Sequence, residues 1–301
     1  MLTYPVSGNA SSPCGKLVRV SATTAAVTGV VPIRLCPDAV AYGHNSVWVL
    51  SFAINVRGYQ LVRVNPATLT IESVTRIDAG RHGVTPRGDT GAKYLFVTAT
   101  KRLVFAAVQD ARGKSQIVAV DPATGSVATK LTLGPAEAVS GLSVNDAAAW
   151  VGTDSGRVLG LDPATGTVKF ARRVGIRVIS LSASGRGVWV TVNLPAPPRS
   201  PAPGLDVLRL NPATGAIVAD TRLPMIFVAT DGTTVWALSS APPFPSDSGL
   251  MAQVNPATGV IVERAELPTL LDSQPPYTIG AYRGSAWVTN SFLRTLTKIS
   301  P

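Results

Sequence analysis

Short hydrophobic segments separated by turn residues recur along the whole chain. Leu61-Val62-Arg63-Val64 and Ile117-Val118-Ala119-Val120 are typical, because each is rich in β-branched side chains and is followed at once by Asn-Pro or Asp-Pro. Runs of this length and composition predict β-strands rather than helices. No stretch of the sequence reaches the roughly 18 consecutive apolar residues that a membrane-spanning helix needs. The pattern therefore predicts an all-β protein without a membrane span.

The connections between these segments repeat one five-residue phrase, Asn/Asp-Pro-Ala-Thr-Gly. Its copies begin at Asn65, where Leu69 replaces the glycine, and at Asp121, Asp162, Asn211 and Asn255, with weaker copies at Ser21 and Ser300. The copies are 41 to 56 residues apart, which is the length of one four-stranded blade of a β-propeller. The Asn or Asp side chain can accept hydrogen bonds from the following amides, Pro sets φ, and Gly supplies a left-handed residue. The phrase therefore predicts the turn between strands C and D of each blade.

A second repeated feature is a large aromatic residue about a dozen positions before most C strands. It is occupied by Trp48, Phe105, Trp150, Trp189, Trp236 and Trp287, which include all five tryptophans of the chain. Tyr4 is a candidate seventh member, because it stands 44 residues before Trp48. An aromatic residue repeated in register predicts packing between neighbouring blades, since each sheet must bury one face against the next.

The number of blades follows from counting these two features. Seven C strands and seven aromatic positions predict seven blades in one propeller domain over residues 1–301, which we expect to be a monomeric ring. Six blades are the alternative, with the hairpin at residues 16–33 completing the blade begun by residues 278–299. The strands before Tyr4 and after Pro301 that would complete the end blades are missing, so we expect the chain to be cut in mid-repeat.

Two segments carry a resemblance to a known family. Ala286-Trp287-Val288-Thr289-Asn290 followed by Leu296–Pro301, and Val188-Trp189-Val190 followed by Leu208–Gly215, resemble the repeats of bacterial YVTN-type and streptogramin-lyase-like β-propeller proteins. This resemblance covers nearly the whole chain. It implies a propeller that is a secreted binding protein, a sensor domain attached to a regulator, or, in a few cases, a lyase.

The lyase alternative can be weighed on the histidines of the chain. The resembling lyases use a histidine, an acidic partner and a magnesium ion, and act on cyclic peptide antibiotics. This chain has His44 in a short predicted turn between strands A and B, and His82 in a long predicted loop. Neither lies in a match to a catalytic motif, and zinc, nucleotide and nucleophile motifs are absent from the sequence. We therefore predict no catalytic residues, no metal and no cofactor, and keep the lyase as an alternative.

The predicted ligand site lies on the face that carries the long B–C and D–A loops, because long loops on a rigid frame are where binding residues tend to be placed. Four loops stand out, at residues 51–58, 78–93, 193–204 and 239–249. The candidate ligand-binding residues on this face are Arg57, Arg81, His82, Arg87, Lys93, Arg112, Arg177, Arg199, Phe244 and Arg294. They predict a non-catalytic module that binds a peptide, a glycan or a small anionic molecule. A protein-interaction scaffold within a larger multidomain protein is a further alternative.

Charge and cysteine content refine the expected partner and compartment. The chain has 27 Lys and Arg against 17 Asp and Glu, a net charge of +10, which favours an anionic partner. The charge is distributed, since Arg19, Arg63 and Arg209 recur within C strands, and protein, peptide or glycan is favoured over nucleic acid. Cys14 and Cys36 flank the first C–D hairpin, either as a disulfide or as two buried thiols. We expect an extracytoplasmic or secreted protein, although the chain begins without a signal peptide.

Overall fold

The structure is a computed structural model, and it describes residues 15–52, 57–81, 95–109, 114–134, 137–195, 204–221, 225–239, 249–267, 277–290 and 295–300. These residues form 25 β-strands. None of the described residues belongs to a helix long and apolar enough to cross a membrane. The strands are β1 (Gly15–Val20), β2 (Val27–Ile33), β3 (Cys36–Gly43), β4 (Ser46–Phe52), β5 (Arg57–Val64), β6 (Ile71–Arg81), β7 (Phe96–Ala99), β8 (Val104–Gln109), β9 (Ser115–Val120), β10 (Val127–Thr132), β11 (Val139–Val144), β12 (Ala149–Thr153), β13 (Arg157–Leu161), β14 (Val168–Arg173), β15 (Arg177–Ser184), β16 (Gly187–Leu194), β17 (Gly204–Leu210), β18 (Ile217–Asp220), β19 (Phe227–Thr230), β20 (Val235–Ser239), β21 (Gly249–Val254), β22 (Ile261–Leu267), β23 (Tyr277–Tyr282), β24 (Ser285–Asn290) and β25 (Thr295–Ile299).

Five sheets have four strands each, and in each the strands follow one another in chain order. We name these blades I (β3–β6), II (β7–β10), III (β11–β14), IV (β15–β18) and V (β19–β22), with strands A to D in chain order. The hydrogen-bonded pairs within blades I, IV and V are antiparallel throughout. The prediction of an all-β chain built from four-stranded units is confirmed.

The expectation of seven blades is wrong. Outside the five complete blades, the described residues form only a three-stranded sheet, β23–β25, and a two-stranded piece, β1–β2. These incomplete sheets do not amount to two further blades, so the part of the chain that the structure describes has six blades, the alternative number. The seventh blade had been inferred from seven C strands and seven aromatic positions, but a C–D hairpin such as β1–β2 is only one half of a blade. The seventh aromatic position, Tyr4, lies outside the described residues.

The chain divides into two compact units. One comprises Met1–Leu142 with Leu161–Thr167, and the other comprises Ser143–Gly160 with Val168–Pro301. Each unit has its own buried clusters of aliphatic side chains. The prediction of a single domain over residues 1–301 stays a prediction.

The repeated aromatic residues lie on the B strands, as predicted, and five of the six are buried. Trp48, Phe105, Trp150, Trp189 and Trp236 are at most 2% exposed, whereas Trp287 is half-buried. In the first unit Trp48 shares a cluster with residues of strands β7 and β8 of blade II, and in the second unit Trp150 shares one with residues of β15 and β16 of blade IV. These side chains therefore pack between neighbouring sheets, where burial of large aromatic surface contributes most.

The five-residue phrase forms the C–D turn by the predicted mechanics. The Asp121 carboxylate accepts hydrogen bonds from the amides of Ala123 at 2.7 Å and Thr124 at 3.1 Å, and Gly125 has a φ of 70°. The same bonds occur at Asn65, Asp162, Asn211 and Asn255. Two copies of this turn hold a non-glycine residue with positive φ, Leu69 at 60° and Ala25 at 57°. Left-handed backbone is strained for residues other than glycine.

Each of these turns also contacts the sheet that precedes it in the chain. The C-strand arginines noted in the sequence supply most of the bonds, because each guanidinium reaches a backbone carbonyl of the following turn. The four bonds are Arg19 Nη1 to Pro66 O at 2.9 Å, Arg63 Nη1 to Pro122 O at 3.0 Å, Thr100 Oγ1 to Pro163 O at 2.9 Å and Arg209 Nη1 to Ala257 O at 2.6 Å. Arg209 also donates from Nη2 to Arg186 O at 3.0 Å. These arginines therefore stabilise the fold by holding each turn against the preceding sheet.

In blade III an aromatic wedge takes the place of the arginine. The Phe170 ring lies against Gly160, where a Cβ would come within 2.2 Å of the ring. The same ring lies against Gly215 in the turn of blade IV, where a Cβ would be 2.6 Å away, and its centroid is 5.2 Å from that of Trp150. Glycine is required at Gly215 by its φ of 69° and by this close approach.

A partly buried hydrogen-bond network joins blade V to the sheet β23–β25. The Asp231 carboxylate accepts bonds from the amides of Gly284 at 2.6 Å, Thr233 at 2.9 Å and Thr234 at 3.0 Å. The Trp236 indole donates to Gly284 O at 3.1 Å, so both sides of this peptide are held. Burial opposes ionisation of Asp231, but the hydrogen bonds from Gly284, Thr234 and Thr233 outweigh it and hold the carboxyl pKa well below its usual range.

Candidate binding groove

The structure brings together two of the ten predicted ligand-binding residues. Arg57 is the first residue of β5 and Arg81 is the last residue of β6, and the register of the two strands makes them direct partners at the loop end of blade I. Strand β6 is longer than predicted, since residues 78–81 had been assigned to a loop. Arg177 is the first residue of β15, and its side chain is exposed. The remaining candidates, His82, Arg87, Lys93, Arg112, Arg199, Phe244 and Arg294, lie outside the described residues.

The other residues singled out in the sequence have positions at the strand ends. His44 lies in the two-residue A–B turn of blade I, as predicted, with a φ of 53°. Burial lowers the pKa of His44, opposed by a hydrogen bond with the Thr100 backbone. Cys36, the first residue of β3, is buried and disulfide-bonded. Because Cys14 lies outside the described residues, its pairing with Cys36 stays a prediction.

A small polar network lies where blade I meets the turn of blade II. Arg63 Nε lies 2.8 Å from Glu72 Oε2 and donates to Ser46 Oγ at 2.8 Å. The other carboxylate oxygen, Glu72 Oε1, accepts a bond from Asn65 Nδ2 at 3.0 Å. The Arg63 guanidinium also lies 5.6 Å from the centroid of Trp48. The positive charge of Arg63 and the negative charge of Glu72 therefore compensate each other. Neither charge is left unpaired for a ligand to bind.

Arg63 and Glu72 of this network form the floor of a groove of about 840 Å³, a volume within the range of small-molecule sites. One wall is the D strand of blade I and the other is the C–D turn of blade II. The lining residues are Arg63, Glu72, Ser73, Val74, Thr75, Arg76, Pro122, Ala123, Thr124, Gly125 and Val127. The two walls meet at Thr75, because a Cβ on Gly125 would lie 2.9 Å from the Thr75 hydroxyl.

The lining restricts the chemistry that this groove can support. None of its lining residues carries an aromatic ring on which a base could stack. No group of three or more His, Cys, Asp and Glu residues that could hold a metal ion occurs in the part of the chain that the structure describes. What the groove offers is hydroxyl groups, backbone amides and carbonyls, two arginines and the aliphatic side chains of Val74 and Val127. These groups can form hydrogen bonds and apolar contacts with a ligand.

Sequence reasoning missed this groove. It treated the Pro-Ala-Thr-Gly turns as connections and looked for ligand residues at the opposite ends of the strands. The signal that could have been noticed is Val74, which stands five residues after Leu69. The residues five positions after the ends of the other full phrases are Lys130, Ala171, Asp220 and Arg264.

The sequence matches no protein-family model and no curated protein. Solved structures do match. The β-propeller domain of Cps50 (Swd1) from Myceliophteria thermophila has a TM-score of 0.63 at 11% identity and covers 95% of this chain and 91% of that chain. BamB from Moraxella catarrhalis has a TM-score of 0.57 at 12% identity over 100% of this chain and 87% of its own.

The fold is a β-propeller. A third structure, hydrazine synthase from Kuenenia stuttgartiensis, has a TM-score of 0.68 at 13% identity and covers 95% of this chain and 89% of that chain. At these identities the likeness concerns the fold alone, and propellers host many unrelated functions. The function of this propeller must therefore be argued from its own residues.

Proposed function

We propose that this β-propeller is a non-catalytic protein-interaction module that binds polypeptide segments. The observation that carries this proposal is the groove between β6 and the turn of blade II, with its strand wall, its exposed Val74 and Val127, and a floor whose charges are compensated. Polypeptide recognition uses such backbone groups together with a few side-chain contacts. The compensated Arg63–Glu72 pair supports a peptide over a small anion as the ligand.

The loop face stays a second proposed surface, supported by one observation. Arg57 and Arg81 are backbone partners at the loop end of blade I, so two of the predicted cationic residues are concentrated at one place. An acidic peptide or an anionic glycan fits such a place by charge. Membership of the YVTN-type repeat family is part of this proposal, since that resemblance implies secreted binding modules. The disulfide at Cys36 supports an oxidising, extracytoplasmic location.

The experiment is a direct comparison of ligand classes on the whole protein. We would immobilise the propeller, select binders from a library of random 12-residue peptides, and measure the affinity of the selected peptides by fluorescence anisotropy. Sulfated glycan fragments and nucleotides would be measured in parallel. We expect peptides with micromolar affinity, and weaker binding of the glycans and nucleotides. Selection of no peptide, together with tight glycan binding, would overturn the proposal.

Two variants locate the binding surface. Arg57→Gln combined with Arg81→Gln removes two predicted cationic residues at the loop end of blade I, and Thr124→Arg places a long side chain in the groove. If the groove is the site, only the second change weakens the selected peptides. Loss of binding only on the first change would place the site on the loop face, and the protein-interaction proposal would survive with a different surface.

A further inference from the structure

The loop end of blade III is built differently from the loop ends of blades IV and V. Its B–C connection, residues 154–156, and the D–A connection that follows β14, residues 174–176, contain three residues each. The corresponding connections of blades IV and V are longer, at residues 195–203, 221–226, 240–248 and 268–276. The backbone at the loop end of blade III is therefore confined to short turns between strands.

Hydrogen bonds fix the three-residue D–A connection on both sides. The amides of Val174 and Gly175 donate to Gly156 O at 2.8 and 3.4 Å. The Ile176 amide donates to Asn193 O at 2.8 Å. The packing is close, because a Cβ on Gly156 would overlap Gly175 O and a Cβ on Gly175 would lie 2.7 Å from Asn193 O. A binding residue on this connection therefore loses little backbone freedom when a ligand binds.

Three side chains are exposed on this fixed backbone. They are Arg173 at the end of β14, Ile176, and Arg177 at the start of β15, and Ile176 is 47% exposed. Val174 and Val178 anchor the same segment, because both are buried in one aliphatic cluster of the second unit. We call Arg173, Ile176 and Arg177 the blade III arginine patch.

The positive charge of the patch is not compensated within the described part of the chain. Neither Arg173 nor Arg177 forms an ion pair with any residue that the structure describes. Arg173 Nη1 donates to Gly175 O at 3.4 Å, which places the guanidinium beside the connection. Asp154 is the one acidic residue among residues 153–157 and 172–177, and it has interactions of its own. Charge complementarity therefore favours an acidic ligand, since carboxylates form strong paired bonds with guanidinium groups.

The composition of the patch is typical of protein interfaces. Arginine is enriched and lysine depleted at such interfaces, and residues 153–157 and 172–177 contain four arginines and no lysine. Ile176 adds apolar surface between the two arginines along the chain. These residues include no aromatic ring on which a nucleic acid base could stack. A polypeptide with acidic and apolar side chains therefore complements the patch better than a nucleic acid does.

We infer that the blade III arginine patch binds an acidic segment of a partner protein, whose carboxylates pair with Arg173 and Arg177 and whose apolar side chain covers Ile176. This inference rests on the proposed protein-interaction function and names a site on the loop face and the chemistry of its ligand. The paired guanidinium–carboxylate bonds supply selectivity for acidic segments. Arginine at such a position is among the residues that contribute most to binding.

The test uses the whole propeller and two fluorescently labelled 12-residue peptides. The acidic probe consists of Asp, Glu and Leu, and the neutral probe has Asn and Gln in place of Asp and Glu. We expect fluorescence anisotropy to show at least tenfold tighter binding of the acidic probe at low salt. Its binding should weaken several-fold as NaCl rises to about 0.2 M, because exposed charge pairs are screened.

Two matched double variants locate the binding. Arg173→Gln with Arg177→Gln removes the two charges of the patch. Arg102→Gln with Arg264→Gln removes two exposed charges elsewhere on the propeller. We expect the first pair to weaken the acidic probe at least tenfold and the second pair to change it less than twofold. Ile176→Ser, which leaves the charge unchanged, should weaken it several-fold. Far-ultraviolet circular dichroism and the melting temperature check that each variant is folded.

Each alternative outcome has a definite meaning. If peptides selected on the propeller bind but the acidic probe binds no more tightly than the neutral one, or the two double variants have equal effects, the patch is not the site while the interaction function stands. If no peptide binds at all, both are wrong. If a sulfated glycan fragment or single-stranded DNA binds more tightly than the acidic probe and the first double variant abolishes that binding, the inferred protein segment is excluded.

Discussion

Gly215 and Gly259 offer a controlled measurement of what the turn contacts contribute to stability. Both end the same phrase, Asn-Pro-Ala-Thr-Gly, and both have positive φ, 69° and 76°. They differ in their neighbours. A Cβ on Gly215 would lie 2.6 Å from the Phe170 ring, whereas the nearest atom to a Cβ on Gly259 is 3.6 Å away, on Thr221. We therefore predict that Gly215→Ala is more destabilising than Gly259→Ala.

The magnitudes follow from two contributions. Alanine in left-handed backbone destabilises the folded state by about 1–2 kcal/mol. Alanine also restricts the unfolded chain, which stabilises the protein by roughly 0.4–1 kcal/mol. Gly259→Ala should therefore lower the free energy of unfolding by about 1 kcal/mol. Overpacking against an aromatic ring adds about 1–3 kcal/mol, so Gly215→Ala should cost about 2–4 kcal/mol. The difference between the two variants isolates the contact with Phe170.

Urea unfolding followed by tryptophan fluorescence measures both variants against the parent chain. Phe170→Leu provides the internal control, because a shorter side chain leaves room for the new Cβ at residue 215. In that background we expect Gly215→Ala to cost no more than Gly259→Ala. Equal losses for the two glycine variants in the parent chain, within about 0.5 kcal/mol, would refute the proposed contact between the ring and the turn.

Three further predictions concern single residues. Asp231→Asn should destabilise the propeller at pH 7, and the difference in unfolding free energy should shrink as the pH falls below about 4. The reason is that a carboxylate whose pKa is held below its unfolded value stabilises the fold only while it is ionised; a difference that is constant from pH 7 to pH 3 would contradict this. Ala25→Gly should raise the free energy of unfolding by about 0.5–1 kcal/mol, because Ala25 is exposed and has a φ of 57°. A lower free energy of unfolding for Ala25→Gly, measured with urea, would contradict the expected relief of backbone strain. Arg209→Lys should lower the free energy of unfolding by about 1–2 kcal/mol in the same assay, because one ammonium group cannot bond to both Ala257 O and Arg186 O. An unchanged free energy of unfolding for the lysine variant would show that the two bonds do not contribute to stability.

The local parts of this fold could be predicted from the sequence. The C–D turns depend on an Asn or Asp side chain, a proline and a left-handed fifth residue, all within five positions, and the structure has them at Asp121 and its equivalents. The tryptophans could be assigned to buried B strands because their spacing repeats. Such features depend on φ requirements and on periodicity, which a sequence displays directly.

The number of blades and the groove could not be predicted in this way. The blade number depends on which strands complete a sheet, which no single repeat reveals, so a count of C strands and aromatic positions gave seven where the described residues form six blades. The groove depends on Arg63 reaching Pro122, 59 positions further along the chain, which brings the turn of blade II against blade I. Val74 was visible in the sequence, but its place in the lining of the groove follows only from that long-range contact.

The contact between each turn and the sheet before it has a consequence for how such a chain can grow. The arginine stands two residues before the phrase of its own repeat and bonds to a carbonyl in the phrase of the following repeat, as in Arg63 with Pro122 and Arg209 with Ala257. The repeat of blade I contains one half of each of two such contacts, the Pro66 carbonyl for Arg19 and the Arg63 guanidinium for Pro122. A gene segment of that length, duplicated in tandem, would therefore bring its own means of attachment to the blades on either side. The blade number of a propeller of this design can change by duplication without any change at the existing contacts.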